Sequence, residues 1–204
     1  MLPDPHGRGF DGADADVVLL CVPDAEIAPA AAQIEPSRLV GHCSGATGLA
    51  PLAPHEAFSL HPLMTVTAQG ASFSGVAAAT DGTTPRARQT ATDLATALGM
   101  IPIHVGAEDR AVYHAAASVA SNFLVTLEVA AERLGANAGI GRQQLLPLVR
   151  ATVENWAAQG ADALTGPVRR GDEATLARQR DAINSREPGL IPLFDTLVEA
   201  TRAL

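Results

Sequence analysis

The sequence predicts an α/β sheet domain over residues 1–107 followed by an all-α domain over residues 108–204. Three observations carry this. Short apolar runs alternate with helix-like stretches as far as Val105, the pattern of a sheet covered by helices. The stretch from Asp109 to Gly135 then reads as one long helix, roughly 40 Å at ~1.5 Å per residue. Beyond Gly135 every apolar pattern has a helical period.

Residues 1–13, with Pro3, Pro5, Gly7, Gly9 and Gly12, read as irregular. Asp16 to Asp24 is a short apolar run ending in Pro-Asp, typical of a strand buried on both faces of a parallel sheet. Ala25 to Ile34 suits a helix and Arg38 to Cys43 a second strand, with a small-residue turn from Ser44 to Gly48. Ala57 to His61 reads as a third strand closed by Pro62, and Phe73 to Thr80 as a fourth. Pro85 to Leu98 is a helix with Thr84 as its cap and Gly99 as its stop. Ile101 to Val105 is the last strand, where Pro102 favours an edge.

In the long helix, Glu108 and Asp109 are candidate caps and Gly135 a candidate stop. Val112, Ala116, Val119, Phe123, Leu127, Ala130 and Leu134 make an apolar face. His114, Ser118, Ser121 and Asn122 lie on the other side, which carries little charge until Glu128 and Glu132. A face meant only for water is usually richer in charge, so this strip suits a partly buried polar site; an ordinary solvated face is the plain alternative. Arg142 to Gln159 reads helical despite Pro147. A loop over residues 161–171 leads to Asp172, the cap of a helix to about Asn184, and Leu190 to Leu204 is the last helix.

Hydrophobic content of 47% with 18% charged residues is globular. The net charge of −8 argues against nucleic acid or an anionic membrane as a partner. All 14 basic residues are arginine, which excludes a catalytic or Schiff-base lysine. Two cysteines embedded in strands make no disulfide framework and point to a reducing cytoplasm. No apolar run is long enough to span a membrane, and the first residues lack the pattern of a signal peptide.

In open α/β sheets, ligands lie beyond the carboxyl ends of the strands. Three such ends are chemically notable here: Val22-Pro23-Asp24, His42 with Ser44-Gly45, and His61-Pro62. The turns after the first two offer backbone N–H groups and little bulk, which suits phosphate or ribose. Each alone is equally ordinary strand-end punctuation. Cys21, His42, Cys43 and His61 are the candidates for a metal, but neighbours on a strand point to opposite faces and no CxxC or HExxH spacing occurs. No metal site is expected, and the GxSxG elbow of a serine hydrolase is missing.

Four segments in order, HCSGA at 42–46, FSLHPL at 58–63, YHAAASVASN at 113–122 and ALTGPVRRGD at 163–172, carry a resemblance. The chain resembles the Rossmann-like proteins with a DUF2520 carboxy-terminal domain, within the 6-phosphogluconate dehydrogenase-like superfamily. Pyrroline-carboxylate and ketopantoate reductases are distant relatives. The resemblance covers nearly the whole chain from Asp11. It implies a Rossmann-like sheet domain, a helical domain that builds a homodimer, and NAD(P)-linked oxidoreductase chemistry on a small carbonyl, imine or hydroxyacid compound at an interdomain cleft.

Two departures qualify it. Family members begin with a strand, a GxGxxG turn and a helix whose N-terminus holds the pyrophosphate. This chain has no GxGxxG and enters the nucleotide-binding domain at about its fourth strand, Asp16 to Asp24. The expected fold class is therefore α/β, an incomplete Rossmann-like sheet domain followed by an all-α domain. The expectations are a truncated product, weakened NADP or NAD binding and, as the alternative function, a non-catalytic dimerising or ligand-binding remnant. The second departure concerns catalysis. Hydroxyacid dehydrogenases of the superfamily place a lysine and an asparagine on the first interdomain helix, whereas His114, Ser118 and Asn122 stand here at i, i+4 and i+8. Histidine has the proton-transfer chemistry to replace the lysine. His61 would face the same place, Val22, Pro23, Asp24, His42, Ser44 and Gly45 the cofactor, and Thr165 and Arg170 the substrate.

Overall fold

The computed structural model describes residues 6–7, 9–66 and 70–204. Residues 1–5 and 8, part of the stretch read as irregular, lie outside the described residues. The chain falls into two compact units, Met1–Asn122 and Phe123–Leu204.

The first unit is built on one sheet of β1 (Val17–Leu20), β2 (Leu39–His42), β3 (Glu56–Pro62), β4 (Ala77–Gly82) and β5 (Ile101–His104), side by side in that order. β1, β2 and β3 are parallel, β4 runs antiparallel to β3, and β5 is parallel to β4. The sheet is thus mixed. No helix separates β3 from β4 among the described residues, and a parallel return generally requires one. Pro102 does lie on an edge strand, β5.

β1 is shorter than the apolar run that announces it, and it is not covered on both faces. Val18 and Leu20 are buried while Val17 and Leu19 are exposed. Only one side receives the short α1 (Ile27–Ala31), whose Ile27 and Ala31 pack with Val18, Leu20, Val40 and Leu52. β4 starts at Ala77, and Phe73 and Val76, expected in the strand, pack instead against the cluster of Leu60, Ala78, Ala95 and Met100. α2 (Pro85–Ala97) lays Ala87 and Ala91 on Leu39 and Phe58. Its cap is the expected one: Thr84 Oγ1 accepts the Ala87 N–H at 3.1 Å. Gly99 follows in the left-handed region at φ +78°, where a Cβ is disfavoured.

The stretch read as one long helix is three consecutive segments. α3 (Arg110–Ser118) passes into a π turn, Val119–Phe123, and then α4 (Leu124–Ala136). Asp109 stands at the start of α3, but its side chain makes no capping hydrogen bond. The face of α3 turned inward is polar. Arg110 is buried and Tyr113 half-buried, whereas Val112 and Val119 from the apolar stripe are exposed. Arg110 and Tyr113 have hydrogen-bond partners at the strand ends, and that outweighs the apolar periodicity.

The second unit contains α4, α5 (Arg142–Gln159), α6 (Glu173–Arg186) and α7 (Ile191–Arg202). The expected cap of α6 is present, with Asp172 accepting from Thr175 N at 3.0 Å, whereas Gly135, read as the stop of the long helix, lies inside α4. Ion pairs Arg180–Asp195 and Arg202–Glu173 tie α6 to α7. Among the described residues no helix is long and apolar enough to cross a membrane.

Candidate functional site at the carboxyl ends of three strands

Because β1, β2 and β3 are parallel, their carboxyl ends emerge on one edge, with Leu20, His42 and Ser59 level in register. Asp24, beyond β1, accepts hydrogen bonds from Ser44 Oγ at 2.7 Å and Thr47 Oγ1 at 3.0 Å. Ser44 Oγ in turn accepts from the N–H groups of Ala46 and Thr47, at 3.2 and 2.9 Å. The tips of β1 and β2 are therefore laced together by one carboxylate and two hydroxyls. Val22 and Pro23 stand exposed beside them.

His42 holds this turn from beneath. It is 0% exposed; its Nδ1 accepts the Ser44 N–H at 3.2 Å and its Nε2 meets the Gly48 carbonyl at 3.0 Å. Those partners put the proton on Nε2. Burial pushes its pKa below the ordinary 6.5, so the ring is neutral at pH 7. With both nitrogens engaged by main chain, it shapes the loop around Ser44 and Gly45.

The opposite wall is α3. Arg110, at its first position, is 3% exposed and reaches the sheet, where Nη2 donates to Ser59 Oγ at 2.6 Å and Nη1 to the Ser44 carbonyl at 3.3 Å. Its Nε is buried without a hydrogen-bond partner. A cation buried at a helix N-terminus opposes the helix dipole. Asp81 partly offsets the charge, but burial lowers the guanidinium's pKa overall.

One turn on, the Tyr113 hydroxyl lies 2.7 Å from Nδ1 of His61, with the rings edge to face at 5.7 Å. Burial raises the Tyr113 pKa, so the phenol keeps its proton and donates it to Nδ1. The neutral His61 ring then carries its own proton on Nε2. Burial first, and the charges of His114 and Arg110 after it, hold the His61 pKa below 6.5.

Gly45 shows where these groups meet. A Cβ built on it would stand 2.8 Å from His61 Nε2 and 3.0 Å from His114 Cδ2. The two imidazoles therefore occupy the space that any side chain at 45 would need. Three of the sequence-predicted residues, Gly45, His61 and His114, are in contact distance of one point, with Ser44 one residue away.

Ser118 closes α3, and Asn122 lies inside the π turn. In an unbroken α-helix residues at i, i+4 and i+8 drift by about 40° at each step. The wider π turn rotates less per residue, so Asn122 stays nearer the line of His114 and Ser118 than a straight helix would leave it. Single π turns inserted in α-helices are frequent at functional sites. Thr165 and Arg170 belong to the second unit, where both are exposed on the loop before α6.

Arg110, Tyr113, Ser59 and Asp81 were not anticipated as site residues. Arg110 did leave a signal: it is the only basic residue between Arg88 and Arg133, placed at the start of an alanine-rich helix. Tyr113 is the sole tyrosine of the chain and precedes His114.

A family model described as a domain of unknown function, DUF2520, matches residues 76–201. The chain belongs to the DUF2520 family. Protein TM1727 from Thermotoga maritima superposes with a TM-score of 0.82 at 25% identity, over 92% of this chain and 78% of that one. The putative NADP oxidoreductase BF3122 from Bacteroides fragilis gives 0.82 at 18% identity, over 93% and 76%. A reductive aminase from Aspergillus terreus, in complex with NADPH and ethyl-5-oxohexanoate, gives 0.62 at 18% identity, over 93% and 76%. No curated protein matches. For this DUF2520 member the likeness shows an α/β Rossmann-like fold with a helical part after the sheet.

Proposed function

We propose that this DUF2520 protein is an NAD(P)-linked reductase of a small carbonyl or imine compound, with a hydroxyacid as the product-side equivalent. The observation that carries the reading is the convergence of His61 and His114 on Gly45, backed by Tyr113 and Arg110. A nicotinamide supplies a hydride when bound. What this chain supplies is the proton. His114 stands on the exposed side of the pair as the donor to the substrate's oxygen or nitrogen, with Ser118 and Asn122 as positioning groups. Behind it, the neutral His61 ring carries a proton on Nε2 and accepts a hydrogen bond at Nδ1 from the Tyr113 hydroxyl, which keeps its own proton and fixes that tautomer. Thr165 and Arg170 are the proposed contacts to a substrate carboxylate.

The residues present fit the reacting half of a dinucleotide better than its diphosphate. Small residues at Pro23, Ser44 and Gly45 keep the strand tips open. The helix after β1 is only five residues long, and Asp24 and Glu26 in the turn before it disfavour an anion. No strand, glycine-rich turn and helix of the GxGxxG kind occurs among the described residues. NADPH is therefore expected to bind this chain weakly, with a thermal shift only at millimolar concentration.

The test is NADPH consumption by the purified chain at millimolar cofactor with a cyclic imine or a keto ester. The expected result is slow turnover that falls ~10²–10⁴-fold in His114→Gln without change of melting temperature. Turnover unaffected by that substitution contradicts the reading. A second reading, a non-catalytic dimerising or ligand-binding protein, is favoured by the exposed apolar residues of the helical unit, Val125, Val129, Leu148 and Trp156 among them. We infer a homodimer through that unit under either reading, and a reducing cytoplasm as the setting in which its two free cysteines persist.

A further inference from the structure

Leu20 and His42 are partners in the β1–β2 register, so the next residues, Cys21 and Cys43, stand side by side just past the ends of two parallel strands, not within them as the sequence suggests. Their Sγ atoms lie 3.8 Å apart, and both thiols are free. Adjacent strands are about 4.8 Å apart, which falls inside the Cα separations of about 4.4–6.8 Å that a disulfide spans. Each sulfur must move by about 1 Å to reach bonding distance, a shift that small side-chain rotations provide. Cys21 is exposed and Cys43 half-buried, so one sulfur meets solvent and the other stands behind it.

We propose that Cys21 and Cys43 are a redox-modification site, in which a small hydroperoxide oxidises Cys21 and Cys43 closes an intramolecular disulfide across β1 and β2. The Cys21 thiolate attacks one peroxide oxygen, the O–O bond breaks, and the departing alkoxide or hydroxide takes up a proton as alcohol or water. Cys21 is left as a sulfenic acid. The Cys43 sulfur, losing its proton, then attacks the Cys21 sulfur and expels hydroxide, which leaves as water. Two thiols and one hydroperoxide become one disulfide, one alcohol and one water, a two-electron oxidation that a dithiol reductant reverses through a mixed disulfide.

The exposure of Cys21 assigns these roles, and the ionisation of the pair agrees with it. The S–H of Cys43 donates toward Cys21 and lowers the Cys21 pKa to about 7, against the effect of burial. Cys43 is pushed up by the same hydrogen bond and by burial. A nucleophile is best placed when its pKa lies near the ambient pH, which makes Cys21 the attacking thiol and Cys43 the resolving one. The cross-link would stand beside the hydrogen bond from Ser44 to Asp24, and the inference holds whether or not the chain is a reductase.

The experiment treats the reduced chain with an equivalent of hydrogen peroxide, alkylates the remaining thiols with iodoacetamide, and maps the product by mass spectrometry. The expected product is a single chain two hydrogen atoms lighter, neither cysteine alkylated, with a peptide joining positions 21 and 43 that dithiothreitol releases. A Cys21 sulfinic acid with Cys43 still alkylated, cross-links only between chains, or two unreacted thiols would each overturn the proposal. A second measurement follows the pH dependence of Cys21 alkylation. Its midpoint is expected near 7 in the wild type and nearer the ordinary 9.0 in Cys43→Ala, which removes the donor; equal midpoints overturn the assigned roles.

Discussion

The two units bury their apolar residues very differently. In the first, Val40, Leu52, Phe58, Leu60 and Ala78 are at or below 2% exposure, in three clusters along the sheet. In the second, Leu176 and Ile183 are the only buried hydrophobic residues among those described, while Leu148, Val153 and Trp156 on α5 are exposed, Trp156 at 64%. The sheet buries a core against its helices, although Val17, Leu19 and Ile101 on its edge strands stay exposed. Helices whose apolar residues face outward depend on another surface to cover them. The difference separates a unit with a buried core of its own from one whose apolar residues stand largely on its surface.

The largest effect should come from the frame itself. Phe58 is fully buried, with its ring against Gly41 where no Cβ fits. Phe58→Ala is expected to cost about 3–5 kcal/mol in denaturant unfolding. Next, Trp156→Ser should convert a dimer to monomer in sedimentation while changing the stability of the single chain by no more than about 0.5 kcal/mol. If the substitution instead unfolds the chain and leaves association intact, the contrast between the units is wrong.

Acid sharpens the same contrast. His42 and His61, both in the first unit, have folded pKa values below 6.5, so the unfolded chain binds more protons than the folded one once pH falls through 6.5. Their contribution to stability is full above that pH and is lost progressively below it, until pH passes the depressed folded values. The melting temperature should fall with pH below about 6.5, and His42→Asn should flatten that fall. The smallest effect is at a cap: Thr84→Ala removes the acceptor of the Ala87 N–H and should cost about 1 kcal/mol.

Local signals in the sequence were good guides to local structure. Thr84 and Gly99 bracket α2, Asp172 heads α6, and Pro102 sits on an edge. What they could not convey was pairing. Nothing in Ala77–Gly82 states its direction beside β3, and nothing in residues 17–43 states the register that sets Cys21 against Cys43. The same holds for α3. Its apolar stripe does not mark the inward face, because the interactions that orient it, from Arg110 to Ser59 and from Tyr113 to His61, join residues about fifty positions apart. His61, His114 and Gly45 were legible as strand-end and helix-face residues turned to one place; how closely the two rings crowd Gly45 was not.

The central claim is that those two imidazoles work as one proton-handling pair, and histidine NMR titration tests it most directly. In the wild type, His61 should titrate below 6.5, and removal of the neighbouring charge in His114→Gln should raise its midpoint. An ordinary His61 midpoint that ignores the substitution at 114 would show two unrelated rings and contradict the account.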